Sequence, residues 1–333
     1  MVSYTELATK NKSVDCSEQR ALVSGGTQGI GAGIALRFAL SGASVWLVGR
    51  NAEKASQVIE QLDKASAEAQ RRRTINSSPS SSKPSDDAGS KHAFFQADLS
   101  TTSGIKDVAD KISQKAGKGG IDYLIETQGG PPNPSIKKTS EGIESQFAVQ
   151  CVSRFGLAKL LTEQGIVKRA VLMVASPAQG GSKKWDLDDI DFVKAKESGS
   201  YWGGPFGILK KGMRDSAILD SVAQTLAERN PNMTISHCFP GFIATDASAN
   251  QGFPTPLVWA SKLVAPLLAH KPGPGGYAEL PFYLLANPDG QRYLETGQAN
   301  LIGPKLKKYS ITSSVQDGAE RQRIWEKMSS YFA

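Results

Sequence analysis

Cysteine is scarce in this chain: Cys16, Cys151 and Cys238 lie far apart in 333 residues. That spacing excludes a disulfide framework or a cysteine-built metal site, so no metal is expected. The three read as free thiols of a reducing compartment, and the expected location is cytoplasmic. Long apolar runs are missing too. No window approaches 18 uninterrupted apolar residues, which argues against a membrane span. The opening MVSYTELATKNKSVDCSE has no apolar core of a secretory signal. The formal charge is +7 and the pI near 9.2, yet the basic residues are dispersed. Their densest cluster, Arg71 to Arg73, adjoins serines rather than aromatics. A solvated surface is expected, and no nucleic-acid partner.

What is present is a regular alternation. An apolar strand at 21–25 is followed by a helix at 30–41, a strand at 44–48 and a charged helix at 52–70. Strands follow at 92–97 and 121–127, with a helix at 104–116 between them. A long helix at 141–164, a strand at 170–175, a helix at 207–229 and a strand at 233–239 continue the pattern. The last 60 residues read as a helix near 276–286, a strand near 297–302 and a tail helix at 315–331. Such alternation predicts one α/β domain: a Rossmann-type doubly wound parallel sheet in a three-layer αβα sandwich. No hinge marks a second domain. RRRTINSSPSSSKPSDDAGS, at 71–90, is nearly devoid of apolar residues and is expected to be a flexible insertion. A substrate lid is expected at about 247–275, where Phe253, Leu257, Trp259 and Leu263 form an apolar face.

Residues 24–31 read Ser-Gly-Gly-Thr-Gln-Gly-Ile-Gly between the first strand and its helix. Gly25, Gly29 and Gly31 permit a tight turn and a close backbone approach to a pyrophosphate at the helix start. A plain βα turn would share those glycines, but the strand before and the helix after supply the context of a dinucleotide fingerprint. The second strand ends in Arg50 and Asn51 where an acid would select NAD. An arginine suits a 2′-phosphate, so NADP(H) is preferred over NAD(H); the alternative is a solvated arginine at a helix start.

Residues 20–245 resemble the short-chain dehydrogenase/reductase family. The resemblance rests on the glycine motif (Ser24, Gly25, Thr27, Gln28, Gly29, Ile30, Gly31), on Asp98-Leu99, which matches an adenine-contacting pair, and on Pro240-Gly241 with Thr245, which matches a nicotinamide-lining segment. Thr127-Gln128-Gly129 and His237-Cys238-Phe239-Pro240-Gly241 are similar to motifs of divergent fungal members, and the resemblance implies that Gln128 and Gly129 contact the cofactor. The resemblance implies a small-molecule substrate, a role in specialised metabolism, and relatives that form dimers or tetramers, a homodimer among them.

In that family a tyrosine exchanges the proton, a lysine four residues on tunes it and holds the nicotinamide ribose, the role expected of Lys210, a serine steadies the substrate oxygen and an asparagine supports a relay water. Ser176 fits the serine and Gln150 stands in the asparagine's place. Phe206 stands where the tyrosine belongs if Lys210 is the lysine, and phenylalanine has no proton to give. Lys211 and Arg214 compete with Lys210 for the cationic role, and Tyr201, though off the four-residue spacing, is a candidate proton donor reaching the site from its loop. His237 reads either as a buried hydrogen-bonded residue or as a site group. Three readings stay open: an NADPH-linked oxidoreductase for the carbonyl or alcohol of a small apolar metabolite, a non-redox catalyst (cyclisation, isomerisation or dehydration) on the same fold, and a non-catalytic NADP-binding regulator.

Overall fold

The computed structural model describes residues 2–76, 90–130, 132, 134–182, 184–243 and 270–333. Thr245, residues 77–89 of the expected insertion and residues 247–269 of the expected lid lie outside the described residues.

Among the described residues eight strands form one sheet: β1 Arg20–Ser24, β2 Ser44–Gly49, β3 Ala93–Gln96, β4 Ile121–Glu126, β5 Val167–Val174, β6 Thr234–Cys238, β7 Ala299–Ile302 and β8 Lys308–Tyr309. Their order is β3-β2-β1-β4-β5-β6-β7-β8. All neighbouring pairs are parallel, as expected, except the edge pair β7 with β8, which is antiparallel. The chain winds outward in both directions from β1 and β4, a Rossmann-type doubly wound arrangement that opens a crevice at the strands' carboxyl ends.

Period-two side-chain alternation divides the sheet between two apolar layers. Leu22, Leu124, Val171, Met173 and Ile235 point to one side, and Val23, Val45, Tyr123, Ile125 and Leu172 to the other. The first side is covered by α4 (Thr102–Ala116), α6 (Ser153–Glu163), α8 (Gly204–Arg229) and the tail helix α12 (Gly318–Ser330). The second is covered by α1 (Tyr4–Asn11), α2 (Gly29–Leu40), α3 (Ala52–Asn76) and α9 (Glu279–Ala286).

Helix α3 runs on to Asn76, so residues 71–76, expected in the insertion, are helical. Where the chain returns, His92 is buried; its Nδ1 accepts from Val45 N at 3.0 Å and its Nε2 meets Ser66 Oγ at 2.9 Å. Burial pulls its pKa down to about 4, so the ring is neutral and rivets β3 to β2 and α3. Helix α1 has no counterpart in the sequence reading. A capping box of Ser3 and Glu6 starts it, and Asn11 ends in a buried network, donating to Glu279 Oε2 at 2.8 Å beside the Arg37–Glu279 ion pair.

Candidate functional site

The crevice has two walls. The first is the glycine turn after β1. Gly25 and Gly29 have positive φ, +75° and +56°, which L side chains rarely adopt. A Cβ on Gly31 would collide with Gly25 O and Thr127 Oγ1, and one on Gly25 would stand 2.7 Å from Gln128 N. Thr127 Oγ1 donates to Ser24 O at 2.8 Å. The exits of β1 and β4 are thus sewn together at a distance only glycine allows.

Helix α2 begins at Gly29, and the extended Gln28 before it places no side-chain cap on the helix amides. Its Oε1 instead accepts from Lys54 Nζ at 2.6 Å, a cation that the sequence reading did not single out. Thr27 packs against Gly49 at the end of β2, and Ile30 is half-buried in the first turn of α2. Arg50 is exposed just beyond, its carbonyl accepting from Gln96 Nε2 at 3.1 Å. Asn51 Oδ1 accepts from Lys54 N at 2.8 Å and so caps α3. Asp98 is exposed with Oδ1 accepting from Ser100 N at 3.0 Å, and Leu99 beside it is buried. Gln128 turns its side chain inward, Nε2 donating to Ser153 Oγ at 3.0 Å, so its backbone faces the turn. Gly129 is exposed, with φ +110°.

The second wall follows β5. Ser176 is half-buried two residues past the strand. Pro177 is buried, and Ala178 takes a left-handed φ of +60°, rare for a residue with a Cβ. Ala178 N donates to Asp220 Oδ2 at 2.8 Å, and Gln179 N to Ser216 Oγ at 2.8 Å. Asp220 Oδ1 also receives His237 Nδ1 at 2.7 Å, both side chains being fully buried; His237 is the buried hydrogen-bonded residue of its two expected readings. On the far side of β6, Pro240-Gly241 turns the chain, Gly241 with φ +73°.

Gly212, Ser216 and Asp220 lie four residues apart on one stripe of α8. Gly212 approaches Pro132 in the segment after β4, while Ser216 and Asp220 bond the turn after β5. This stripe faces the strand ends. Lys210 is two residues, roughly half a helical turn, from Gly212. It is exposed, with Nζ 4.5 Å from the Phe192 ring centroid. Phe206 is 74% exposed. The Phe206–Lys210 register therefore looks outward, and Lys210 is not brought to the crevice as expected. Lys211 and Arg214 are fully buried. Lys211 Nζ donates to Ser135 O at 2.6 Å and pairs with Glu144 at 3.3 Å, while Arg214 pairs with Asp215 at 2.7 Å. Burial raises the Glu144 pKa and lowers that of Lys211. The Tyr201 hydroxyl is buried against Gly207, on the first turns of α8, and its pKa is raised by burial and then by Glu144.

Between the walls, the long helix at 145–163 contains a π-helical turn, Ala148–Val152. Such turns are rare and concentrate at functional sites. Gln150 lies in it, its Oε1 buried without a partner where a Gly129 side chain would stand. One turn on, buried Arg154 donates to Gln150 O at 2.6 Å and to Val174 O at 3.0 Å, tying the π turn to the end of β5. Fully buried Glu126 ends β4; burial pushes its pKa up to about 8 against the pull of Arg154 and of the Gln128 side chain. Sequence reasoning passed over Glu126, Arg154 and Asp220. The signal was a charged residue inside an apolar run, as in IDYLIET and AILDSVA.

Among the described residues no cluster of histidine, cysteine or acidic side chains suits a metal ion, and no helix is long and apolar enough to cross a membrane. The three cysteines are free and buried.

The fold is of the Rossmann type, with a crevice at the carboxyl ends of its strands. Comparison with known proteins goes one step further. Residues 19–83 match the short chain dehydrogenase family profile. The chain is 24% identical over 265 residues to human polyprenol dehydrogenase, covering 78% of this chain and 71% of that protein. It is 27% identical over 231 residues to the 3-oxoacyl-[acyl-carrier-protein] reductase of Chlamydia pneumoniae, covering 69% and 76%. A short chain dehydrogenase from Burkholderia cenocepacia, solved in complex with NADP, superposes with TM-score 0.56 at 18% identity over 86% of this chain and 97% of that one. These similarities support a short-chain dehydrogenase/reductase, a family of oxidoreductases that use a nicotinamide cofactor.

Proposed function

We propose that this protein is an NADPH-dependent oxidoreductase acting on the carbonyl or alcohol of a small apolar metabolite. The observation that carries the reading is the cradle itself: a Cβ on Gly25 or Gly31 would fill it, and the start of α2 beside it is left uncapped. Backbone there takes a pyrophosphate, which the helix start favours electrostatically. Arg50 and Lys54 supply positive charge on the adenosine side, as a 2′-phosphate requires. Asp98, Leu99 and the Gly129 backbone complete the adenine and ribose side; Pro240 and Gly241 border the nicotinamide end.

When bound, a reduced nicotinamide supplies hydride to a carbonyl carbon. The chain's own part is orientation and proton handling. Ser176 donates to the substrate oxygen, and its rigid turn keeps the hydroxyl aimed. Gln150 offers an amide at Gly129 to the substrate or to a water. Tyr201 is one proton source and solvent reaching Gln150 is the other. Tyr201→Phe separates them: turnover falls greatly if the phenol donates and is unchanged if solvent does. The two named relatives are a polyprenol dehydrogenase and a 3-oxoacyl-[acyl-carrier-protein] reductase, names that support an apolar substrate.

The stripe Gly212, Ser216, Asp220 carries neither tyrosine nor lysine toward the strand ends, which favours a second reading, a non-redox catalyst on this fold. One experiment divides the two. Titration with NADPH and NADH by nicotinamide fluorescence, followed by a panel of aldehydes and ketones, should give NADPH-selective binding and substrate-dependent loss of nicotinamide absorbance. Tight binding without oxidation by any carbonyl compound would favour the non-redox reading.

A further inference from the structure

We propose that Asp220 and His237 are positioning residues for Ser176: together they fix the turn that presents its hydroxyl. The proposal rests on the oxidoreductase reading above and names what sets the substrate side of that site.

The turn after β5 is held at consecutive residues. Ala178 N donates to Asp220 Oδ2 at 2.8 Å, and Gln179 N donates to Ser216 Oγ at 2.8 Å, with that hydroxyl 3.5 Å from the same carboxylate oxygen. Ala178 is left-handed at φ +60°, and such strain persists only where the surroundings over-determine it. The Asp220 carboxylate supplies that constraint. It is fully buried, so it needs a donor on each oxygen: the Ala178 amide takes one, and His237 Nδ1, at 2.7 Å, takes the other.

The placement of His237 matters as much as its bond. It stands opposite Met173 in the β5–β6 register and three residues before Pro240. The His237–Asp220 bond therefore links the strand that ends in the Pro240-Gly241 turn to the helix that holds the Ser176 turn. Both turns line the same crevice. Asp220 touches neither the glycine cradle nor Arg50, so its loss should disturb the substrate side and spare the cofactor side.

The test compares wild type with Asp220→Ala, Asp220→Asn and His237→Phe. The readouts are turnover of a carbonyl substrate found in the panel, NADPH affinity by fluorescence, and amide hydrogen exchange at Ala178. A misaimed catalytic group costs up to about 100-fold in rate. Asp220→Ala should approach that loss in kcat with the NADPH dissociation constant within about twofold and Ala178 exchange accelerated; Asp220→Asn, which keeps an oxygen for Ala178, should recover most of it. Unchanged kcat in Asp220→Ala, or NADPH affinity falling in step with kcat, would overturn the proposal in favour of a purely structural pair. Should Asp220→Ala fail to fold, His237→Phe preserves the ring's bulk and is read the same way; wild-type exchange at Ala178 together with wild-type kcat in His237→Phe would overturn it. If wild type reduces no carbonyl compound, the oxidoreductase reading has failed, and Ala178 exchange still decides whether the pair holds the turn.

Discussion

The two walls of the crevice are built by opposite means. The nucleotide wall works by omission: glycines remove side chains so that β1, β4 and α2 can close on one another and leave backbone amides free. The substrate wall works by addition, with buried charged groups reaching across the fold to fasten backbone. Asp220 bonds Ala178 from 42 residues away, and Arg154 bonds Val174 from 20. A wall of glycines is encoded locally. A wall of long-range polar bonds is encoded only in the folded chain.

Gly31→Val is the severest way to break the nucleotide wall, because its neighbours include backbone that has nowhere to move. NADPH binding followed by fluorescence should be lost, a weakening of at least about 100-fold. Arg50→Asp tests charge rather than shape. Removing a charge-assisted contact is worth about 1.5–3 kcal/mol, so NADPH should weaken about tenfold or more while NADH is little changed. Equal weakening of both would remove Arg50 from 2′-phosphate recognition.

The buried groups predict two opposed pH dependences of stability. Glu126 has a folded pKa raised to about 8 from 4.5, so the folded state keeps a proton that the unfolded chain loses. Its contribution falls as pH rises between those values, by up to about 1.4 kcal/mol per pH unit. Glu126→Gln should remove that slope, stabilising the protein relative to wild type most at alkaline pH. His92 has the opposite sign: its pKa is lowered from 6.5 to about 4, so its contribution is lost as pH falls through that window. His92→Gln should flatten the acid side of the same chemical-denaturation profile. The smallest effect belongs to Lys210→Ala, which should leave NADPH affinity within about twofold, because its ammonium lies over Phe192. A large loss would return Lys210 to the cofactor.

The sheet and the glycine cradle were legible in the sequence because alternation and turn chemistry repeat over short distances. The antiparallel β8 was missed because a two-residue edge strand has no periodicity to detect, and α1 because its stability comes from the capping box and from Asn11 reaching Glu279. The register of α8 was misjudged for a related reason. A four-residue spacing fits several faces of a helix, and only the bonds from Ser216 and Asp220 reveal which face meets the strand ends. Gln128 was expected to serve the cofactor, yet its amide serves Ser153 inside; nothing local announces that inversion. Lys54 carries no local signal, since it lies within a charged helix and only the fold brings it to Gln28.

The π turn at Ala148–Val152 has a bearing on how this chain tolerates change in length. A single π turn holds one residue more than the α-helix it interrupts. Deleting one residue there offers the helix a regular hydrogen-bond ladder, and hence a gain in local regularity. Yet either Gln150 is removed or its side chain swings away from Gly129 by about 100°, the rotation of one residue step. The surplus residue is therefore an insertion that evolution can reverse at little structural expense but not without dismantling the bridge between the two walls.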